Sequence, residues 1–235
     1  MVKLLAFDID NTLAGINQPI LSETVDYLQS FENRGVKIAF VSGKPAIYIS
    51  GMVRQIGLEE PIVIGENGLN IYYSCHVPPK EIIDGEVEQI TREILFSLKE
   101  KIAEAMGEQV WFQPNAVSVT AFPKAFDIMP KLQEIVHSLF DQEQVREYLV
   151  FYQHSDSIDI APKNVSKGSA MKTLLKKEGW TAQDVIAIGD GENDIPMFEN
   201  AGYTVGVNFK GEYPVDVNVT SIQEAMREIE FRISK

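Results

Sequence analysis

The sequence predicts an α/β protein, a parallel sheet core carrying an inserted α+β domain. Two observations predict it. Short, unalternated apolar runs that end in polar or glycine-rich loops alternate with helix patterns at both ends of the chain, as in sheets buried on both faces. Between those ends, over residues 79–161, the pattern changes to long amphipathic helices and alternating strands, leaving 1–78 and 162–235 for the core.

The elements follow in order. Lys3 to Phe7 is an apolar run too short for a helix, and it stops at Asp8-Ile9-Asp10. In a strand that continued, Asp8 and Asp10 would share a face. Ser22 is placed to cap a helix with Val25, Leu28 and Phe31 on one side, ended by Gly35. Val36 to Val41 reads as a second buried strand leading into Ser42-Gly43-Lys44. Pro45 opens a helix that Gly57 closes, and Ile62-Val63-Ile64 leads into Glu66-Asn67-Gly68.

The middle section begins with Val87, Ile90, Ile94, Leu98, Ile102 and Ala105 at helical spacing. Strands are expected near 110–113 and 117–122. A helix through Leu132, Ile135, Val136 and Leu139 follows, then strands near 149–154 and 157–161. Helix, two strands, helix and two strands describe an antiparallel sheet half covered by helices. After Pro162 the first pattern returns. Ser166 caps a helix stopped by Gly179, Val185 to Ile188 runs straight into Gly189-Asp190, and a short helix spans Ile195 to Glu199. A strand at Tyr203 to Val207 follows, and Ser221 with Glu224 forms a capping box for the last helix.

Composition narrows the function. The chain has 235 residues, 45% hydrophobic and 23% charged, which suits a globular fold and excludes disorder. No apolar run approaches the roughly 20 residues of a membrane helix. One cysteine, Cys75, and an opening without a secretory pattern predict a reducing, cytoplasmic setting. Twenty-one basic against 34 acidic residues give a net charge of -13, which argues against nucleic-acid or anionic-membrane partners. A small anionic substrate then needs a local cation.

Ligands of open α/β sheets bind at the carboxyl ends of the strands. The polar residues there are Asp8, Asp10, Ser42, Asp190, Asn193 and Asp194, with Lys167 at a helix start within reach. Two carboxylates about 4 Å apart repel by roughly 4 kcal/mol at an effective dielectric near 20. One lysine does not balance three or four of them. A hard divalent cation does, and carboxylates with a substrate phosphate are a usual magnesium setting. A carboxylate nucleophile, a metal and a lysine meet the needs of phosphoryl transfer through an aspartyl-phosphate.

These residues resemble the haloacid dehalogenase superfamily. Asp8-Ile9-Asp10-Asn11-Thr12-Leu13 is similar to its first motif, Val41-Ser42-Gly43 to the second and Lys167-Gly168 to the third. Gly189-Asp190-Gly191-Glu192-Asn193-Asp194 is similar to the fourth. The motifs occur in the family's order, with the insertion where one subgroup carries its cap. That subgroup holds phosphoglycolate, sucrose-phosphate and mannosyl-3-phosphoglycerate phosphatases and phosphomannomutases, and the compact insertion most resembles archaeal-type phosphoglycolate phosphatases.

The resemblance implies a Rossmann-like core with an α+β cap acting as a lid, and a magnesium-dependent phosphatase of a small phosphorylated metabolite. It implies Asp8 as nucleophile and metal ligand, and Asp10 as general acid and base that offers its backbone carbonyl to the metal. Ser42, Gly43, Lys167 and Asn193 would bind the phosphoryl group, and Asp190 and Asp194 would hold the metal or its waters. Asn11 stands where glycine is commonest. Asparagine tolerates a left-handed backbone, so the turn is expected to survive.

Rival readings remain at this level. A phosphomutase shares the nucleophile. Phospho-accepting signalling domains pair acids with a metal and a lysine, but in a different order and without an insertion. Taken singly, the DxD and GDGEND segments also suit solvated turns or caps. Lys44 faces substrate or solvent, and Glu66-Asn67-Gly68 lines a hinge or forms a tight turn. Lys124 suits a solvated loop better than a leaving group, and Asn164 suits turn work better than substrate. His76, His137 and His154 are too scattered for a metal site. The specific substrate and the oligomeric state leave no mark in the sequence.

Overall fold

The computed structural model describes residues 1–234. In chain order it forms β1 (Leu4–Phe7), α1 (Ser22–Asn33), β2 (Lys37–Val41), α2 (Ala46–Val53), β3 (Ile62–Gly65), β4 (Asn70–Tyr73) and β5 (Glu81–Asp84). There follow α3 (Gln89–Met106), β6 (Val110–Phe112), β7 (Val119–Pro123), α4 (Met129–Phe140), α5 (Glu143–Tyr148), β8 (Leu149–Gln153) and β9 (Ile158–Pro162). The chain closes with α6 (Lys167–Glu178), β10 (Val185–Gly189), α7 (Ile195–Phe198), β11 (Tyr203–Val207), β12 (Val217–Val219) and α8 (Ile222–Ile233).

Two units result. The first holds Met1–Ser42, Ala46–Gly85 and the residues from Ser166 onward; the second holds Gly43–Pro45 and Glu86–Val165. The first unit is an eight-stranded sheet in the order β12-β11-β10-β1-β2-β3-β4-β5. From β12 to β3 the pairs are parallel, and β4 and β5 are antiparallel additions. Every residue of β1 and β10 is buried, as central strands between two helical layers require. Phe7, Phe31, Phe40 and Ile49 pack on one face, and Met171, Leu174, Met197 and Phe198 on the other.

The hairpin of β4 and β5 is absent from the sequence reading. It moves residues 81–84, expected in the insertion from 79 onward, into the large sheet, where Tyr73 pairs with Glu81 and Asn70 with Asp84. Their mixed composition hides the strand, because β5 lies at an edge and buries none of its four residues fully.

The second unit is a four-stranded antiparallel sheet, β6-β7-β9-β8, with α3 and α4 packed on one side. Leu98, Ile102, Leu132, Val136, Ala121 and Ile160 form its core. The predicted order is observed with one addition, α5 before β8. The buried stripe of α3 is Thr91, Leu95, Leu98, Ile102 and Met106, while Ile90 and Ala105, expected on it, are exposed.

Two caps differ from expectation. Leu21, not Ser22, precedes α1, and it makes no side-chain cap. At α8, Ser221 Oγ accepts the Glu224 amide at 3.3 Å, but the Glu224 carboxylate accepts from the Thr220 amide and hydroxyl instead of closing the box on Ser221. Among the described residues, no helix is long and apolar enough to cross a membrane.

Candidate active site

Register gathers the acidic tips. Phe7 pairs with Ile188 of β10 and with Phe40 of β2, so the residues just beyond these strands emerge side by side. The Asp8 amide donates to the Ile188 carbonyl at 2.9 Å, which fixes Asp8 as the last residue aligned with the sheet. The strand ends at Phe7 rather than continuing through Asp10. Asn11 then takes the left-handed region at φ 59°, as its side chain permits, and the Leu13 and Ala14 amides both donate to the Ile9 carbonyl. Asp8 and Asp10 therefore sit on a tight turn and not on one strand face.

The tip of β10 is shaped by glycine. A Cβ on Gly189 would lie 2.4 Å from Asp194 Oδ2, so only a bare backbone lets Asp194 fold back under it. Asp194 Oδ2 accepts the amides of Asp190 at 2.9 Å and Gly191 at 3.0 Å. Its other oxygen, Oδ1, accepts from Lys167 Nζ at 2.6 Å.

Lys167 opens α6. Ser166 caps that helix, its Oγ accepting the Ser169 amide at 3.1 Å while Ser169 Oγ accepts the Ser166 amide at 2.9 Å. Gly168 lets the helix start press on α7, since a Cβ there would meet the Pro196 carbonyl at 2.4 Å. Behind the cap, Glu66, Asn67 and Gly68 have φ of 47°, 55° and 113°, and a Cβ on Gly68 would sit 2.2 Å from the Ser166 carbonyl. The tight-turn reading of this segment is the observed one, and the turn buttresses the helix that carries Lys167.

Lys167 Nζ reaches Asp8 Oδ1 at 2.6 Å as well as Asp194, and the whole ammonium is buried. Asp8, Asp190 and Asp194 each bring a carboxylate oxygen within 4.8 Å of the others. Burial raises the Asp8 carboxyl above its ordinary range, the Lys167 charge pulling it back and the Asp194 charge adding to the rise. Burial, then the charges of Asp8 and Asp194, push Asp190 up to about 7 against the pull of Lys167 and Thr12. Burial works against the Lys167 charge, yet Asp194 and Asp8 raise its pKa above the usual lysine value. Three carboxylates with one lysine, two of them raised by burial and by neighbouring charge, form an all-oxygen donor set short of positive charge. That is the chemistry a hard divalent cation fits.

The other expected residues distribute unevenly. Ser42 follows β2, is 3% exposed, and is fixed through its backbone to Ile64 and Asn67. The Asp10 carboxylate is not one of the three clustered groups. Asn193 lies in the short turn Glu192–Asp194, its Oδ1 beside Gly191. Gly43 falls in the second unit. Asn164 donates to the Glu86 carbonyl at 3.0 Å, within the second unit. Burial, with the Glu32 charge, pushes the Cys75 thiol up to about 11, so it is a poor nucleophile at neutral pH. The sequence reading gave no role to Thr12, whose Oγ1 lies 3.2 Å from Asp190 Oδ1.

The sequence matches the haloacid dehalogenase-like hydrolase family over residues 5–130 and 112–210, and the chain belongs to that family. It is similar to the phosphoglycolate phosphatase of Staphylothermus marinus, 28% identical over 88% of this chain and 85% of the relative. It is also similar to the phosphoglycolate phosphatase of Thermoplasma volcanium, 26% identical over 85% and 82%. A haloacid dehalogenase-like hydrolase from Bacteroides thetaiotaomicron shares the fold, with a TM-score of 0.74 at 19% identity over 97% of this chain and all of that one.

Proposed function

We propose that this chain is a magnesium-dependent phosphatase hydrolysing a small phosphorylated metabolite, of the phosphoglycolate or sugar-phosphate type, through an aspartyl-phosphate. The observation that carries it is Asp8 at the tip of β1, bonded at 2.6 Å to a buried lysine and clustered with two further carboxylates. Relatives named phosphoglycolate phosphatase support the substrate class.

Asp8 is the nucleophile. Burial raises its carboxyl above the ordinary range, and the Lys167 charge beside it pulls back toward the ionised form that attacks. An Asp8 oxygen attacks phosphorus, the bond from phosphorus to the leaving oxygen breaks, and Asp10 protonates that oxygen. Water then attacks the phosphorus of the acyl phosphate, with Asp10 taking its proton, to release inorganic phosphate and restore Asp8. Ser42 and Gly43 orient phosphoryl oxygens, and Asn193 binds beside them. Asp8, Asp190 and the Asp10 backbone carbonyl would hold the ion, with Asp194 behind them. When bound, a divalent ion supplies positive charge against the phosphoryl oxygens.

The test is Asp8→Asn assayed on p-nitrophenyl phosphate. Turnover is expected to fall by on the order of a thousandfold or more with an unchanged circular dichroism spectrum. Retained activity overturns the assignment. Wild-type release of inorganic phosphate without a bisphosphate activator separates hydrolysis from phosphomutase chemistry. Membership of a hydrolase family leaves the signalling-domain reading without support.

A further inference from the structure

Asp190 is held from two sides. Its backbone is fixed by Asp194, which accepts its amide at 2.9 Å. Its carboxylate is met by Thr12, a residue 178 positions away in sequence and only 2% exposed. The turn that presents Thr12 is itself locked. The Asn11 amide donates to the Ala14 carbonyl at 2.7 Å, and the Leu13 and Ala14 amides donate to Ile9 at 2.9 and 3.1 Å. Backbone bonds on both sides of Thr12 thus hold the main chain from which its short side chain reaches Asp190.

We infer that Thr12 is a positioning residue for ion binding: its hydroxyl donates to Asp190 Oδ1 and orders that carboxylate before an ion arrives. The inference rests on the proposed reading of Asp8, Asp190 and Asp194 as a divalent-ion site. A carboxylate turning freely about its two side-chain torsions must be ordered when it becomes a ligand, which costs affinity. A donor behind it removes that cost, and such partners are typically worth about 10–100-fold in metal affinity. A threonine kept only to fill space would need no hydroxyl here; valine has the same shape.

The experiment compares wild type, Thr12→Val and Thr12→Ser as full chains, titrating magnesium by isothermal calorimetry. The magnesium concentration for half-maximal turnover is a second reading. Thr12→Val is expected to raise the magnesium Kd about tenfold or more, with kcat at saturating magnesium little changed, and Thr12→Ser to bind close to wild type. Should Thr12→Val fail to fold, Thr12→Cys keeps the volume with a weaker donor and is expected to fall between the two. Thr12→Val binding as tightly as wild type overturns the inference alone, as does Thr12→Ser binding as weakly as Thr12→Val. A wild-type chain that binds no ion overturns the metal reading and this inference with it.

Discussion

Lys167 Nζ lies 2.6 Å from Asp194 Oδ1, and solvent reaches neither side chain. The same nitrogen bridges to Asp8, so one buried cation holds the tip of β1 and the loop after β10 to the start of α6. Removing it strands two carboxylates. Lys167→Met is expected to cost about 3–5 kcal/mol of stability, the usual penalty for breaking a buried pair. Turnover is expected to drop on the order of 10²–10³-fold. Urea denaturation read alongside initial rates checks both, and a loss well under 1 kcal/mol would show the lysine to be replaceable.

Gly189 sets how closely Asp194 can approach. Gly189→Ala would place a methyl 2.4 Å from Asp194 Oδ2, an oxygen that cannot retreat without dropping the amides of Asp190 and Gly191. A destabilisation of about 1–3 kcal/mol is expected, together with weaker magnesium binding. Gly51→Ala is the control. Gly51 lies within α2 with nothing inside 4 Å of its Cβ position, so the change is expected to gain up to about 1 kcal/mol of helix propensity. Thermal melts of the two variants should move in opposite directions.

Much of this was legible in the sequence, for a physical reason. Fully buried strands such as β1 and β10 are unbroken apolar runs, and their acidic ends stand out because charge at a strand tip must be answered by something. What hid were features decided by neighbours. β5 carries two acids in four residues and joins the sheet only because β4 offers it an edge. The face of α3 turned by part of a helical step, exposing Ile90 and burying Thr91, because the sheet beneath selects the stripe. The bond from Thr12 to Asp190 spans 178 residues, and no local periodicity carries a contact of that kind. Lys167 was predicted at the site, yet its simultaneous grip on Asp8 and Asp194 joins residues 159 and 27 positions away, which no local pattern marks.

Asn11 offers a sharper check on the first turn. With φ at 59°, a residue other than glycine, asparagine or aspartate is strained there. Asn11→Ala is expected to lose about 1–2 kcal/mol, while Asn11→Gly stays close to wild type. Equal stability of the two variants in chemical denaturation would mean that the turn does not hold this conformation in solution.

The raised pKa of Asp190 gives the ion-free protein a pH signature. A carboxyl near 7 in the folded chain and near 3.9 when unfolded favours the folded state at low pH, where both forms are protonated. As pH rises from about 4 to about 7 the unfolded chain releases its proton first, so this group's contribution to stability declines across that window. Burial raises Asp8 too, and its contribution has the same sign. An ion competes with the proton for the same oxygens, so magnesium affinity is expected to fall toward about tenfold per pH unit below 7. Thermal melts with and without magnesium, at pH 5.5 and pH 8, read the difference directly. The magnesium-induced rise in Tm is expected to be large at pH 8 and small at pH 5.5. A rise that is the same at both values would mean that Asp190 is already ionised in the metal-free protein, and that the repulsion among the three carboxylates is relieved by something other than a proton.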